Sequence, residues 1–573
     1  MRARPATGAL ALALAASSVV SGQAVKVAPA PGASSPPLLY EGLLPGVSSK
    51  EEIVAKLGQP AHEASWYAWK MLYPAKGRPG RFDAIHLAGR KVGTIEAATI
   101  PGGYEDRAAI EGKLGAPEFF LELGSGAMAD YSALGLRFTL DAAGRTVGVA
   151  YFPQGYPRVH AGERRSLSLR ALRAAPASGG VAAGGVPGGA APDLQCGAAE
   201  ADITPLEPDW LGPIRYTVHD PLRARAVVFR SGELTVAIVG GDIFGMQKLD
   251  VDPIAASLKE AGIQHLLLAM SHVHTAGDPI GIYGFYPEKY VKRIQEGVKK
   301  AALDALAALR PVREVRAGAR ELPLDGARVE GFFRNARNPG ILDPQIAAIE
   351  VVGADGKPIV TIAHATCHPE GIENDPKERT YEVSADFPGY LCDELRRSRG
   401  VQAVFLNGAV GGMVSGDTRE RSHAEAEAHG KRIAKEIDGV LASATARRPT
   451  LTLDRRRVEI PVTNPRFVAF ELTGRKRSYR GRLPTELFLI RLGGVELLSV
   501  PGELLPELSF EILERMRGSP SLIVGLTNDQ IGYIVPAYDF RMGEYEESMS
   551  LGPAAGPIIV EQAWRMVESP GTR

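Results

Sequence analysis

Two histidines, His272 and His274, follow a short apolar segment at 265–270 that the sequence predicts as a buried strand. Residues two apart in a strand point to the same side, so both imidazoles are expected to reach one site at the carboxyl end of that strand. Neutral imidazole is the commonest metal ligand among protein side chains near pH 7. The alternative is that the two histidines are polar residues that merely end a core strand.

A second histidine cluster ends another apolar segment, at 359–363, in the sequence His364-Ala365-Thr366-Cys367-His368-Pro369-Glu370. The segment Ser384-Ala385-Asp386 follows it, and Asp386 is expected to cap the next helix. No histidine occurs after His429. A metal site that uses the last third of the chain must therefore take carboxylate, tyrosine or cysteine ligands from it.

Apolar strands and amphipathic helices alternate from residue 194 onward, and they must position these side chains. Segments 224–229 and 234–239 predict a β-hairpin. Further strands are predicted at 346–352, 358–365 and 403–406, and helices at 290–309, 385–397 and 424–441. The pattern predicts an α/β fold, with mixed β-sheets flanked by helices in the domain from residue 194 onward and a small α+β domain before it.

The size and charge of the chain limit the possible functions. Its 573 residues are too many for one hydrophobic core, so two or three domains are expected. Lys and Arg together number 66, as do Asp and Glu, so the formal net charge is zero and no basic field is available to bind nucleic acid. The three cysteines do not make a disulfide framework.

The amino-terminal region predicts export from the cytoplasm. Residues 1–24 are typical of a signal peptide, because Arg2 and Arg4 precede an Ala-rich apolar segment that ends in small residues. An uncleaved anchor is the alternative. Residues 25–42 are predicted to be a disordered tail. No later apolar segment is long enough to cross a membrane, so the predicted location is secreted or periplasmic.

Residues 43–160 predict a small α+β domain with two similar halves. The helical segment 51–60 is echoed by 107–117, and each ends in Gly and Pro. The pattern resembles the small SmpA/OmlA-type periplasmic domain, which implies an envelope protein with a binding role. Residues 161–193 are rich in Ala, Gly and Pro and predict a linker to the domain at 194–573.

The domain at 194–573 carries several ordered motifs that resemble the catalytic domain of the neutral, non-lysosomal ceramidases. They are Ala201-Asp202-Ile203-Thr204-Pro205, Leu222-Arg223-Ala224-Arg225-Ala226 with Gly241-Asp242, Met270-Ser271-His272-Val273-His274-Thr275, Cys367-His368-Pro369 with Ser384-Ala385-Asp386, Pro501-Gly502-Glu503, Gly525-Leu526-Thr527-Asn528 with Tyr533, and Tyr545-Glu546.

The resemblance implies a zinc amidohydrolase and assigns roles residue by residue. The implied zinc ligands are His272, His368, Glu503 and Tyr533. The implied catalytic residues are His274, Arg334 and Tyr545. Zinc can make water acidic enough to attack an amide near neutral pH, His274 can move protons, and Arg334 and Tyr545 can stabilise an oxyanion. As alternatives, Arg334 could form a structural ion pair and Tyr545 could be a half-buried aromatic residue.

The sequence departs from the family in two ways. Gly412 stands where the family has an aspartate in a Gly-Asp-x-x-Pro turn, and the chain ends before the family's C-terminal β-sandwich. Both departures bear on the substrate more than on the metal site. Ser415 follows that turn, but its surroundings do not form the nucleophile elbow of a serine hydrolase.

The sequence as a whole therefore predicts a zinc-dependent hydrolase that cleaves the N-acyl amide bond of ceramide or a related N-acyl lipid. Such a substrate is compatible with peripheral membrane contact. Two alternatives stay open: a hydrolase of the same fold acting on another amide or ester, and a non-catalytic envelope binding protein. The oligomeric state is not predicted.

Overall fold

The computed structural model describes residues 39–568 with gaps, the longest of which are 152–166, 169–193, 207–214, 373–379 and 468–476. The predicted signal peptide, residues 25–38 of the predicted tail, most of the predicted linker and Ser415 lie outside the described residues. No helix in the described part of the chain is both long and apolar enough to span a membrane.

The amino-terminal part of the chain forms one nine-stranded sheet and two short helices. The helices are α1 (Lys50–Leu57) and α2 (Arg107–Leu114). The strands are β1 (His62–Ala64), β2 (Trp69–Pro74), β3 (Phe82–Ala88), β4 (Lys91–Ala97), β5 (Phe119–Leu123), β6 (Gly126–Tyr131), β7 (Leu136–Asp141), β8 (Thr146–Tyr151) and β9 (Leu167–Ser168). Their order in the sheet is β1-β2-β3-β4-β8-β7-β6-β5-β9.

The two helices of this part match the repeated sequence segments. The side chain of Ser49 caps α1 in a capping box, and the side chain of Asp106 caps α2. Gly58 and Gly115 end the helices with φ of 78° and 81°, a conformation that favours glycine. The repeated Leu-Gly segments are therefore helix ends.

Folded structure extends beyond the predicted limits of this domain at both ends. Tyr40, inside the predicted tail, is buried and donates a 2.6 Å hydrogen bond to Asp83. The short strand β9, inside the predicted linker, pairs in parallel with β5. Tyr40 adds an aromatic side chain to the sheet and β9 adds backbone pairing. Amino-acid composition alone does not predict either contact.

The second part of the chain is built on another nine-stranded sheet. Its strands are β10 (Gln195–Asp202), β12 (Arg223–Ser231), β13 (Leu234–Gly241), β14 (His265–Met270), β15 (Arg310–Glu321), β18 (Gln345–Gly353), β19 (Pro358–Ala365), β21 (Gln402–Asn407) and β22 (Thr445–Arg447). The order is β14-β13-β12-β10-β15-β18-β19-β21, and β22 pairs with β15. The pairs β13–β14 and β19–β21 are parallel and the others are antiparallel, so the sheet is mixed.

The two halves of this sheet pack against each other through an apolar core. A Cβ placed on Gly240 of β13 would lie 2.5 Å from the carbonyl oxygen of Phe405 on β21, so the two backbones approach where glycine permits it. Helices α3 (Lys248–Glu260) and α4 (Glu288–Ala307) cover one outer face, and α5 (Asp386–Arg399) and α6 (His423–Ala442) cover the other. The predicted α/β fold with mixed sheets and flanking helices is confirmed.

Smaller elements complete the second part. A four-stranded sheet contains β23 (Leu451–Pro461), β24 (Arg482–Leu492), β25 (Val495–Ser499) and β27 (Ser521–Val524), and packs against α7 (Pro506–Leu513) and α9 (Ala555–Glu568). Three strand pairs stand apart: β11 (Arg215–Val218) with β20 (Thr380–Val383), β16 (Arg328–Val329) with β17 (Phe333–Arg334), and β26 (Glu503–Leu504) with β28 (Tyr533–Ile534). The short helix α8 (Tyr545–Ser548) precedes α9.

His429 on α6 makes the stability of this fold sensitive to acid. Burial lowers the pKa of His429 to about 3, and its ring packs against Phe387 with centroids 4.7 Å apart. Below the unfolded pKa of about 6.5, the unfolded chain takes up a proton that the folded chain does not, so stability falls as the pH falls. We expect His429 to account for a loss of about 2 kcal/mol between pH 7.5 and pH 5.

Urea unfolding at these two pH values measures the effect. His429→Leu puts an apolar side chain at this position and removes the titrating group. Between the two pH values, its unfolding free energy should therefore change by about 2 kcal/mol less than that of wild type. Equal pH dependence in the two proteins would show that His429 titrates normally in the folded state.

Candidate metal centre and active site

The site lies where several strands end. His272 and His274 follow β14, His368 follows β19, and Glu503 and Tyr533 lie in the parallel pair β26–β28. Glu503 and Tyr533 are direct register partners in that pair. The sheet ends therefore bring together all four proposed metal ligands from segments far apart in the chain.

His272 reaches the site by a turn and not by strand alternation. Strand β14 ends at Met270, and His272 has φ of 69°, a left-handed conformation that is uncommon for residues other than glycine. The expectation that His272 and His274 share a strand face is therefore wrong, although their rings do meet edge to face with centroids 4.7 Å apart. Such backbone strain persists only where surrounding structure holds it.

Surrounding backbone holds the His272 ring in one orientation. Its backbone N–H donates to Ile243 O at 3.0 Å, and its Nδ1 donates to Phe244 O at 2.6 Å. A carbonyl oxygen can only accept, so Nδ1 carries a proton, and in the neutral form of the ring Nε2 has a lone pair that can bind a cation. A backbone carbonyl that fixes the tautomer in this way is typical of metal-binding histidines.

Glu503 lies between two of the imidazoles. Its Oε2 is 3.1 Å from His368 Nε2 and 3.4 Å from His272 Nε2, and its Oε1 accepts a 2.8 Å hydrogen bond from Gln530. Burial by itself would raise the pKa of Glu503, but the two imidazoles outweigh burial and hold that pKa well below its ordinary value. The site thus keeps a buried carboxylate charged.

Tyr533 faces the same carboxylate. Burial and the neighbouring Glu503 charge raise the pKa of Tyr533 well above its ordinary value, and its hydroxyl hydrogen-bonds to Glu503. The phenol therefore holds its proton unless a cation is close enough to reverse the balance of charge. Tyr533 can therefore act as an oxygen ligand only when such a cation is bound.

His274 has a different set of partners. Its Nδ1 lies 3.3 Å from Glu370 Oε1, and Glu370 in turn lies 3.6 Å from Arg421. Its Nε2 is buried and has no hydrogen-bond partner among the described residues. Burial lowers the pKa of His274 to about 3, against the opposing charge of Glu370, so the ring is neutral near pH 7.

The donor set fits a zinc ion. Ligand atoms of His272, His274 and His368 all lie within 4.8 Å of one another, and Glu503 adds an anionic oxygen between two of them. Two or three imidazoles with one carboxylate and no thiolate are the donors of hydrolytic zinc sites. The buried Nε2 of His274, which has no hydrogen-bond partner among the described residues, also suits a bound ion or water.

A cavity of about 670 Å³, including its open mouth, leads to these residues. Its polar wall contains His272, His274, Glu503, Gln530 and Tyr533. The remaining wall is mostly apolar and aromatic, and is formed by Phe244, Ile280, Ile282, Phe467, Tyr479, Gly532, Tyr545 and Met549. The loop after Gly281 contributes Ile282, while 283–285 lie outside the described residues.

The structure brings one of the two proposed oxyanion partners to the cavity. Tyr545 begins α8 at the cavity wall, is 48% exposed, and meets the Tyr533 ring edge to face at 5.9 Å. Arg334 is buried on β17 with Cys367 as a near neighbour, and it is not among the described residues that line the cavity. Arg334 remains a predicted catalytic residue, since His368, next to Cys367, is likewise not among the described residues that line the cavity and yet contacts Glu503.

Sequence reasoning missed Asn407, which joins the two histidine segments. Asn407 ends β21 and is buried. Its Nδ2 donates to Ser271 O and to Cys367 O, each at 2.8 Å, and its Oδ1 accepts from Cys367 N at 3.2 Å. The residues just before His272 and His368 are thereby held by one side chain. The only sequence signal was an amide at a strand end.

If zinc occupies this site, Asn407→Ala should weaken its binding without removing any proposed ligand. Loss of such a supporting group typically lowers metal affinity 10- to 100-fold, and we expect a decrease of about that size. Competition with a chromogenic chelator measures it. Gln402→Ala, at the other end of the same strand, removes a comparable bond to Ala199 O and serves as the control. Equal affinities of the two variants would contradict the positioning role.

Gly412 occupies the position of the family's aspartate for a local reason. It has φ of 75°, and a Cβ there would lie 2.9 Å from Asn335 Oδ1 and 3.1 Å from Arg337 Cβ. Arg337 pairs with Glu547 beside the cavity residue Tyr545. Asn335 and Arg337 thus fill the space that an aspartate side chain would need.

Gly412→Asp should therefore destabilise the fold by about 2–4 kcal/mol, from backbone strain together with crowding. Gly400→Asp is a matched control, because Gly400 has φ of 71° but no heavy atom within 4 Å of its would-be Cβ. The control should lose only about 1–2 kcal/mol. Urea unfolding of both proteins compares them, and equal losses would show that crowding at Gly412 is absent.

Comparison with solved structures shows similarity to ceramidases. The neutral ceramidase from Pseudomonas aeruginosa matches with a TM-score of 0.53 and 18% identity, over 67% of this chain and 76% of that chain. A ceramidase complexed with C2 matches with a TM-score of 0.54 and 17% identity, over 66% of this chain and 75% of that chain. No family model and no curated protein matches the sequence. At this identity the similarity shows the fold, and the chain has an α/β fold like that of these ceramidase structures.

Proposed function

We propose that this protein is a zinc-dependent amidohydrolase that cleaves the N-acyl amide bond of ceramide or a related N-acyl lipid. The observation that carries the proposal is the convergence of His272 and His368 on Glu503, because His272 and Glu503 line a largely apolar cavity. The shared fold of the ceramidase structures supports the same reaction class. The proposed zinc ligands are His272, His368, Glu503 and Tyr533.

When bound, zinc supplies a Lewis acid that polarises an amide carbonyl and makes water a competent nucleophile near neutral pH. His274 is neutral, so its Nε2 can accept a proton from water and return it to the leaving amine. Glu370 orients the ring through Nδ1 and stabilises the imidazolium that forms. The hydroxyl of Tyr545 can donate to the developing oxyanion.

The cavity wall suits one long apolar group. Phe244, Ile280, Ile282, Phe467 and Met549 offer hydrocarbon surface beside the polar residues. Burial of a chain against such surface contributes about 0.8 kcal/mol for each methylene group. The wall therefore favours an N-acyl lipid over a polar amide of similar size. Such a substrate agrees with the secreted or periplasmic location and the peripheral membrane contact proposed from the sequence.

A direct assay tests the proposal. Zinc-loaded protein is incubated with N-acyl ethanolamines, with matched oxygen esters and with N-acyl sphingosines. The N-acyl sphingosines range from about two to about sixteen acyl carbons, since each added methylene group should contribute about 0.8 kcal/mol to binding. Mass spectrometry follows release of the fatty acid and the amine. We expect amide cleavage that increases with acyl length and stops after chelation. Cleavage of esters alone would indicate a different hydrolase of this fold, and binding without cleavage would indicate a binding protein.

A further inference from the structure

A second cluster of metal-ligand side chains lies outside the cavity and shares no residue with the first. We propose that His219, Asp220 and His423 form a binding site for a divalent transition-metal cation, with Zn²⁺ as the simplest example. Ligand atoms of these three residues all lie within 4.8 Å of one another. The proposal does not depend on the proposed hydrolase activity.

Three separate elements bring these residues together. Strand β11 runs parallel to β20, and the pairing continues past the strand ends, where His219 N donates to Val383 O at 2.9 Å. His423 is the first residue of α6, directly after the capping residue Ser422. The cluster is thus a junction of a strand end, a neighbouring strand and a helix start.

The two imidazoles are in direct contact. Their rings stack with centroids 3.5 Å apart and planes 11° from parallel. His219 Nδ1 lies 3.0 Å from Asp220 Oδ2, and His423 Nε2 lies 2.9 Å from Glu382 Oε2. His423 Nδ1 is buried and has no hydrogen-bond partner among the described residues. A buried ring nitrogen without a partner, beside a second imidazole and a carboxylate, indicates a place for a cation.

The donor types select the class of ion. Two imidazoles and one carboxylate favour zinc, nickel or copper, whereas calcium and magnesium prefer oxygen ligands. Because the rings are parallel, one of them must turn about its Cβ–Cγ bond for both to hold one ion. The His219 side chain is 40% exposed, so its solvent side leaves room for this turn. Glu382 can then orient His423 or serve as a further oxygen ligand.

An ion here would stabilise the segment next to His274. Asp220 accepts hydrogen bonds from Ser384 Oγ at 2.5 Å and from Ala385 N at 2.7 Å. Ser384 O in turn accepts from the hydroxyl of Thr275 at 2.9 Å. The proposed ion would therefore tie the start of α6 to the segment that supports Thr275, which makes its role structural.

Calorimetric titration of the chelator-treated full chain with Zn²⁺ tests the proposal. Wild type should bind one more zinc equivalent than His219→Ala and than His423→Gln, or bind it at least ten-fold more tightly. His272→Ala should lose a different equivalent, so the double variant His219→Ala/His272→Ala should lose both. His265→Ala, a partly buried histidine outside both clusters, is the matched control and should bind zinc as wild type does.

Two results would overturn the proposal. In the first, both cluster variants keep the wild-type number of zinc ions and the wild-type affinities. In the second, His265→Ala loses zinc as they do, which would show non-specific binding to surface histidines. Because the His219 side chain is 40% exposed, its variant should fold normally, and circular dichroism of each protein checks that binding is compared between folded chains.

Discussion

His272→Ala protein is expected to lose its zinc, whereas His274→Ala protein should keep near-stoichiometric zinc and lose most of its turnover. The difference follows from the partners of each ring. His272 Nε2 faces the Glu503 carboxylate at 3.4 Å, whereas His274 is held by Glu370 at 3.3 Å. General acid–base help contributes about two to four powers of ten in rate, which is the loss expected for His274→Ala.

Elemental analysis and initial rates on an N-acyl sphingosine measure the two effects separately. The three histidines have ligand atoms within 4.8 Å of one another, so geometry also allows His274 to bind the ion directly. If His274→Ala loses zinc as completely as His272→Ala, then His274 is a ligand and the assignment of the base is wrong. The same zinc content in both variants and in wild type would show that neither histidine is a ligand.

Glu503→Gln should abolish zinc binding and hydrolysis together. The substitution keeps the size of the side chain but removes the charge that lies between His272 and His368. A neutral amide is a much weaker zinc ligand than a carboxylate, so zinc affinity should fall by more than about 100-fold, beyond the effect of losing a supporting group. Elemental analysis after dialysis and the hydrolysis assay should therefore change in parallel.

Glu507→Gln is a matched control for this variant. Glu507 is also buried, on α7, and pairs with Asn338 rather than with the histidines. The Glu507→Gln variant should retain zinc even if the substitution lowers the stability of the fold. Active Glu503→Gln protein with bound zinc would contradict the proposed ligand set, and active wild type without zinc would contradict the proposed mechanism.

The sequence by itself determined the strands, the helices and the segments that carry the chemistry. The predicted helix at 424–441 is α6 at His423–Ala442, and the predicted hairpin is β12 with β13. Such elements depend on the local alternation of apolar and polar residues, which a single sequence displays. The positions of His272 and His368 at strand ends were predictable for the same reason.

The tertiary structure alone decided how these segments meet. The backbone N–H of His272 bonds to Ile243 O and its Nδ1 bonds to Phe244 O, and together they hold its left-handed φ. The Asn407 side chain joins the segments before His272 and His368, two histidines that are 96 residues apart in the sequence. The buried position of Arg334 near Cys367 likewise comes from the tertiary structure. Whether a titratable side chain faces a cavity, an opposite charge or the core depends on contacts between residues distant in the sequence. The local pattern of apolar and polar residues does not predict those contacts.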